Sequence, residues 1–98
     1  MAEKIQLLNP NPSKKGATID LDKYERVKET ILNIVRERES ITFKELMNEV
    51  VHQLRDTFDG SPSWHCTAVK LDLEARGIIE RAGTTSPQRL RLTQQASN

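Results

Sequence analysis

The stretch 61–92, SPSWHCTAVKLDLEARGIIERAGTTSPQRLRL, constrains the fold more than any other part of this 98-residue chain, because each of its joints has a chemical cause. Ser61 is able to accept a hydrogen bond from the free N–H groups of a first helical turn, and Pro62 suits the first helical position. Gly77 tolerates the left-handed conformation that stops a helix, so the spacing predicts a helix over 62–76. Ile78 and Ile79 then open an extended segment to Arg81, and residues 83–87 have turn chemistry. Arg89-Leu90-Arg91-Leu92 alternates with the two-residue period of a half-buried strand, which makes the pair of segments a hairpin.

Upstream, the chain divides into an arm and two further helices. Residues 4–8 have the character of a short strand, and residues 9–16, with two prolines and a glycine, are expected to be irregular. After Asp20, an N-cap residue type, Leu21, Tyr24, Val27, Ile31, Ile34 and Val35 recur at steps of three and four, which predicts a helix to about Arg38 with a charged outer face. Ile41 falls in a brief extended link. Thr42-Phe43-Lys44-Glu45 matches a capping box, in which threonine and glutamate side chains satisfy each other's free N–H groups. The helix it starts buries Leu46, Val50 and Leu54, with Phe43, Met47 and Val51 beside them, and is expected to end near Arg55. The organisation is an arm over 1–19, a domain over 20–93 and a polar tail over 94–98.

Several function classes are set aside on composition. Hydrophobic residues are 36% and charged residues 30% of the chain, as in one small soluble domain. No run of eighteen apolar residues and no secretory leader pattern is present, so a cytoplasmic, membrane-free protein is expected. The single cysteine, Cys66, cannot form an internal disulfide and is expected to pack in the core. His52, His65 and Cys66 lack zinc-site spacing, so no metal or other cofactor is expected. His65 and Cys66 point about 100° apart on a helix, which disfavours a nucleophile and base pair. Without a glycine-rich phosphate loop, a nucleophile elbow or evidence of a deep ligand pocket, binding is favoured over catalysis. The formal charge of +1 is unevenly spread, with the basic excess in the arm and in the 61–98 half.

The order helix, short strand, helix, helix, two-stranded hairpin resembles the winged helix-turn-helix superfamily, a frequent design in bacterial transcription regulators. The resemblance covers about 20–93, and its sharpest local match is 69–81, VKLDLEARGIIER. The run 64–81 is also similar to a small group of bacterial winged-helix proteins with no assigned role. The implied fold is α+β and mostly α: three helices plus a two- to three-stranded β-wing, with an N-terminal arm. The resemblance also implies that 62–76 is a recognition helix for duplex DNA and that the hairpin loop is the wing, as in a transcription regulator. Ser63, Thr67, Lys70 and Glu74 fall within about 60° of arc on a helical wheel, and the first three suit phosphate or base-edge contacts. Arg89 and Arg91 face outward together if Leu90 and Leu92 face the core. Candidate DNA contacts are therefore Ser63, Thr67, Lys70, Arg89 and Arg91.

Three features point elsewhere. Asp72 and Glu74 place negative charge near the expected phosphates, and the 55–60 connection exceeds the turn of a compact helix-turn-helix. The third helix also has two apolar stripes: Cys66, Val69 and Leu73 on one side, and Trp64, Ala68, Leu71 and Ala75 nearly opposite. One stripe packs on the core; the second needs either the arm, with Ile5, Leu7 and Leu8, or a partner such as a second copy. The alternative to DNA binding is accordingly a protein-association or dimerisation module with Trp64, Ala68, Leu71 and Ala75 at its interface.

Overall fold

The computed structural model describes residues 3–11, 13–82 and 89–93. In chain order these form β1 (Lys4–Gln6), β2 (Thr18–Asp20), α1 (Leu21–Arg38), β3 (Ile41–Thr42), α2 (Phe43–Leu54), α3 (Pro62–Ala75), β4 (Ile79–Ala82) and β5 (Arg89–Leu92). The result is a small α+β domain of three helices and two antiparallel sheets, one ordered β1-β2 and the other β3-β5-β4. The turn expected at 83–87 and the tail at 94–98 lie outside the described residues.

Local chemistry accounts for most helix boundaries. Thr42 and Glu45 form the full capping box, with the threonine Oγ1 accepting from the Glu45 N–H at 3.2 Å and the glutamate accepting from the Thr42 N–H at 3.2 Å. The Thr42 hydroxyl also donates to the Glu45 carboxylate at 2.9 Å, and that bond first, with the one from the Thr42 N–H second, holds the Glu45 carboxyl below its ordinary value. Ser61 caps α3 by accepting from the Trp64 N–H at 3.2 Å, and Gly77, with φ at +75°, lets the chain leave α3 towards β4. Helix α1 ends differently. Glu39 has φ of 66°, and the Ser40 N–H donates back to the Arg38 carbonyl at 2.7 Å, a γ-turn that feeds β3. Asp20 occupies the N-cap of α1 without making a side-chain cap. Its carboxylate is drawn instead to Lys4, its cross-strand neighbour, at 3.3 Å, and to Lys23 at 4.0 Å.

The core is continuous across all three helices and both sheets. It takes Tyr24, Val27, Ile31, Ile34 and Val35 from α1, Leu46, Val50 and Leu54 from α2, and Cys66, Val69 and Leu73 from α3, closed by Ile41, Ile79 and Leu90. Leu90 is buried while Arg89 and Arg91 are exposed, which is the alternation expected of β5. In the long connection after α2, Phe58 turns inward and joins the core, and Arg26 of α1 donates to both the carbonyl and the hydroxyl of Thr57.

The arm is part of this body. Residues 4–6 pair with 18–20, and the ladder is extended by the Leu7 N–H to the Ala17 carbonyl and the Leu21 N–H to the Glu3 carbonyl, both at 2.8 Å. Leu7 and Ile19 enter the core, and Ile5 packs against it. The 9–16 segment contains no helix or strand among the described residues, in keeping with its prolines. Its return depends on Gly16, where a Cβ would sit 2.3 Å from the Leu7 carbonyl oxygen. No other residue allows so close a backbone approach.

A candidate interaction groove between the arm and the third helix

Helix α3 is clamped to the arm and to α1 by one carboxylate. Asp72 is fully buried and accepts from the Tyr24 hydroxyl at 2.6 Å, from the Leu8 backbone N–H at 2.8 Å, and from Arg76 Nε at 2.9 and 3.0 Å. An ionised carboxylate has only acceptor sites, and here three donors on three different segments converge on it. Burial, followed by the hydrogen bond to Asp72, pushes the Tyr24 phenol upward, and the same carboxylate raises the Arg76 guanidinium. The expectation that Asp72 projects charge towards a phosphate backbone is thus corrected: the arm and Tyr24 enclose it.

Beside that clamp runs an apolar groove of about 220 Å³, walled by Leu7, Leu8 and the 15–17 segment on one side and by Trp64, Thr67, Ala68 and Leu71 on the other. The arm therefore covers the second stripe of α3 in part. Ala68, Leu71 and Ala75 are half-buried, whereas Trp64 stays 48% and Leu8 45% exposed, the exposed large hydrophobic side chains of the described residues. Trp64 is held in place by an edge contact with His65, ring centroids 4.9 Å apart, and His65 makes a similar contact with Phe58 at 4.8 Å. His65 is itself oriented by donating from Nδ1 to the Ser61 carbonyl at 2.8 Å. The indole is thus a fixed projection at the groove's lip.

Of the candidate DNA contacts, Ser63, Thr67, Arg89 and Arg91 are exposed and Lys70 is not. Ser63 and Thr67 are exposed on the first turns of α3, although the Thr67 hydroxyl donates back to the Ser63 carbonyl at 3.1 Å. Lys70 is buried, which corrects the expectation of an outward lysine. Its ammonium lies 4.9 Å over the Phe43 ring and 3.3 Å from Glu74, whose other carboxylate oxygen accepts from Arg81 at 3.1 Å. Arg89 donates to the Ser40 hydroxyl at 2.9 Å and to the Ser40 carbonyl at 3.0 Å, and Arg91 pairs with Glu80 at 2.6 Å. Arg81 therefore bridges back to α3. Among the described residues, these cations serve internal partners.

Cys66 has no exposure, and burial pushes its thiol up to about 12, so it is unsuited to nucleophilic work at neutral pH. No group of three His, Cys, Asp or Glu side chains among the described residues is placed to hold a metal ion. No helix among them is long and apolar enough to cross a membrane.

These features define a small α+β domain whose most distinctive surface is an apolar groove with a fixed indole at its edge. Residues 4–90 match a family of unknown function (DUF6958), and the chain belongs to that family. No curated protein and no solved structure matches the chain.

Proposed function

We propose that the chain is a winged-helix domain that works by protein association, with α3 and the arm as its docking face. The winged-helix reading is supported by the element order and by the strand order β3-β5-β4, in which the strand preceding α2 pairs with the second strand of the C-terminal hairpin. The observation that carries the functional reading is the joint exposure of Trp64 and Leu8 at 48% and 45% on either side of one apolar groove. Aromatic side chains that are half-exposed and already rigid lose little conformational freedom on binding, which is why they anchor interfaces.

DNA binding is the second reading. Exposed Ser63 and Thr67 and outward-facing Arg89 and Arg91 favour it. Against it stands the removal of Lys70 from the surface and the commitment of Arg81 and Arg91 to carboxylates. A phosphate backbone would have to displace those pairs before gaining counterion release.

The two readings separate in one pair of titrations. A labelled mixed-sequence duplex at low salt is expected to show no anisotropy change up to about 100 μM, the weak end of ordinary non-specific affinity. The apolar dye bis-ANS is expected to bind the folded chain with enhanced emission that Leu71→Glu abolishes. Micromolar duplex binding, suppressed by salt, lost in Arg89→Ala/Arg91→Ala and unaffected by Trp64→Ala, would replace the association reading with DNA binding.

A further inference from the structure

The groove has a charge signature as well as an apolar floor. Among the described residues, Lys15 is the only charged side chain that lines it, and Lys14 beside it in the chain is exposed. None of the carboxylates of α3 lies in the groove: Asp72 is buried and saturated with donors, and Glu74 is turned away to Lys70 and Arg81. Positive charge on this rim consequently has no acidic side chain lining the groove to answer it.

Volume narrows the class of occupant. At about 220 Å³ the groove is smaller than the roughly 300–1,000 Å³ usual for sites that enclose a small-molecule ligand. It suits a single large apolar side chain presented by a longer segment. A second copy of this chain is a poor match in charge. A groove-to-groove two-fold interface sets the same patch against itself, and that patch has no lining carboxylate to offer the lysines of either copy.

We infer that this groove docks an acidic peptide segment of another protein, with one large apolar side chain seated between Leu8 and Trp64 and carboxylates within a turn of it pairing with Lys14 and Lys15. The apolar contact supplies most of the affinity, and the charge pairs select partner and register. The inference rests on the protein-association reading above and makes it specific.

The test is selection of a random 12-residue peptide display library on the immobilised full chain, followed by titration of the chain into the winning synthetic peptides, each carrying a terminal fluorophore whose anisotropy reports binding. Expected are peptides that combine Phe, Trp or Leu with neighbouring Asp or Glu. Their affinity should drop roughly tenfold in Lys14→Glu/Lys15→Glu, the effect of losing two exposed charge pairs and reversing their sign. Leu71→Glu should abolish binding. Should Leu71→Glu fail to fold, Trp64→Ala at the half-exposed lip gives the same test. Enrichment of apolar peptides without acidic residues, indifferent to the lysine reversal, overturns the acidic partner and leaves protein association standing. Absence of enrichment together with a concentration-dependent dimer that Trp64→Ala dissolves makes a second copy the occupant, again overturning the inference alone. Absence of enrichment from a chain that sediments as a monomer throughout overturns both.

Discussion

At the scale of single residues, Asp72 has the largest structural consequence. Its three partners all donate, so an isosteric asparagine replaces one acceptor oxygen by an N–H₂ group that faces donors. Asp72→Ala strands the Tyr24 hydroxyl and the Leu8 N–H and removes the buried partner of Arg76. That change is expected to cost about 3 kcal/mol or more, since each unsatisfied buried donor is worth about 1–3 kcal/mol. Asp72→Asn should cost nearly as much, and in both variants the Leu8 amide should lose its protection from hydrogen exchange before the α1 amides do. Urea unfolding and residue-resolved exchange measure the two effects. An Asp72→Asn variant within about 0.5 kcal/mol of the parent, the range of ordinary surface substitutions, would show that the clamp is not structural. The contrast with Lys70 is instructive: it lies only about 40° round the helix from Cys66, at the edge of the core stripe. That edge position lets Phe43 and Glu74 draw it inward.

Among the elements, the arm is the one whose role is open to direct dissection, because adjacent leucines in it face opposite ways. Leu7 is in the core and Leu8 is at the groove's lip. Leu7→Ala is expected to cost about 2–5 kcal/mol, the usual range for a buried leucine, and Leu8→Ala under about 0.5 kcal/mol. Equal effects in thermal or urea unfolding would mean that the arm does not dock as described. The helices were legible in the sequence because their signals are local. Thr42 with Glu45, Ser61 with Pro62, and Gly77 each act within one turn, and the apolar steps of α1 name its buried face. The arm was legible in part: residues 4–8 have strand character and its cover of the α3 stripe is one of two alternatives, but β2 and its pairing with β1 were not legible, since the strands have three residues each and pair across a proline-containing segment with no alternation to read. The candidate groove was half visible: the spacing of Trp64, Ala68, Leu71 and Ala75 marks one wall, whereas the opposite wall depends on the close approach of Gly16 to Leu7. A signal for the clamp was present in Tyr24, a phenol inside an apolar stripe that needs a buried acceptor, and in the Asp72 to Arg76 spacing of four. The spacing pairs Asp72 with Arg76, whereas Tyr24 finds its acceptor only when the fold brings α1 and α3 together.

For the whole molecule, the arrangement fixes how stability depends on alkaline pH. Folding moves the Cys66 thiol from its ordinary 9.0 up to about 12 by burial, and it moves the Tyr24 phenol upward from 10.0 through burial and the Asp72 hydrogen bond. Both folded groups hold protons that the unfolded chain has released, so the unfolded state binds fewer protons above pH 9 and stability falls as pH rises. The contribution is fully present below pH 9 and is lost progressively towards pH 12. In that window Cys66 alone gives a slope of about 1.4 kcal/mol per pH unit, one proton's worth of linkage, and Tyr24 steepens the fall once pH passes 10. Cys66→Ala lowers stability at neutral pH by leaving a small cavity, yet it should flatten the decline between pH 9 and 10, where the parent loses stability and the variant holds level. Tyr24→Phe should spare that first decline and relieve the later one. Urea midpoints taken at half-unit intervals from pH 7 to 11 separate the two effects, because the comparison is of slopes and is independent of what each substitution costs at neutral pH. Unchanged slopes in Cys66→Ala would mean that the thiol already titrates in the folded chain, and a native thiol that reacts promptly with Ellman's reagent at pH 8 would mean that it is not buried on the core side of α3.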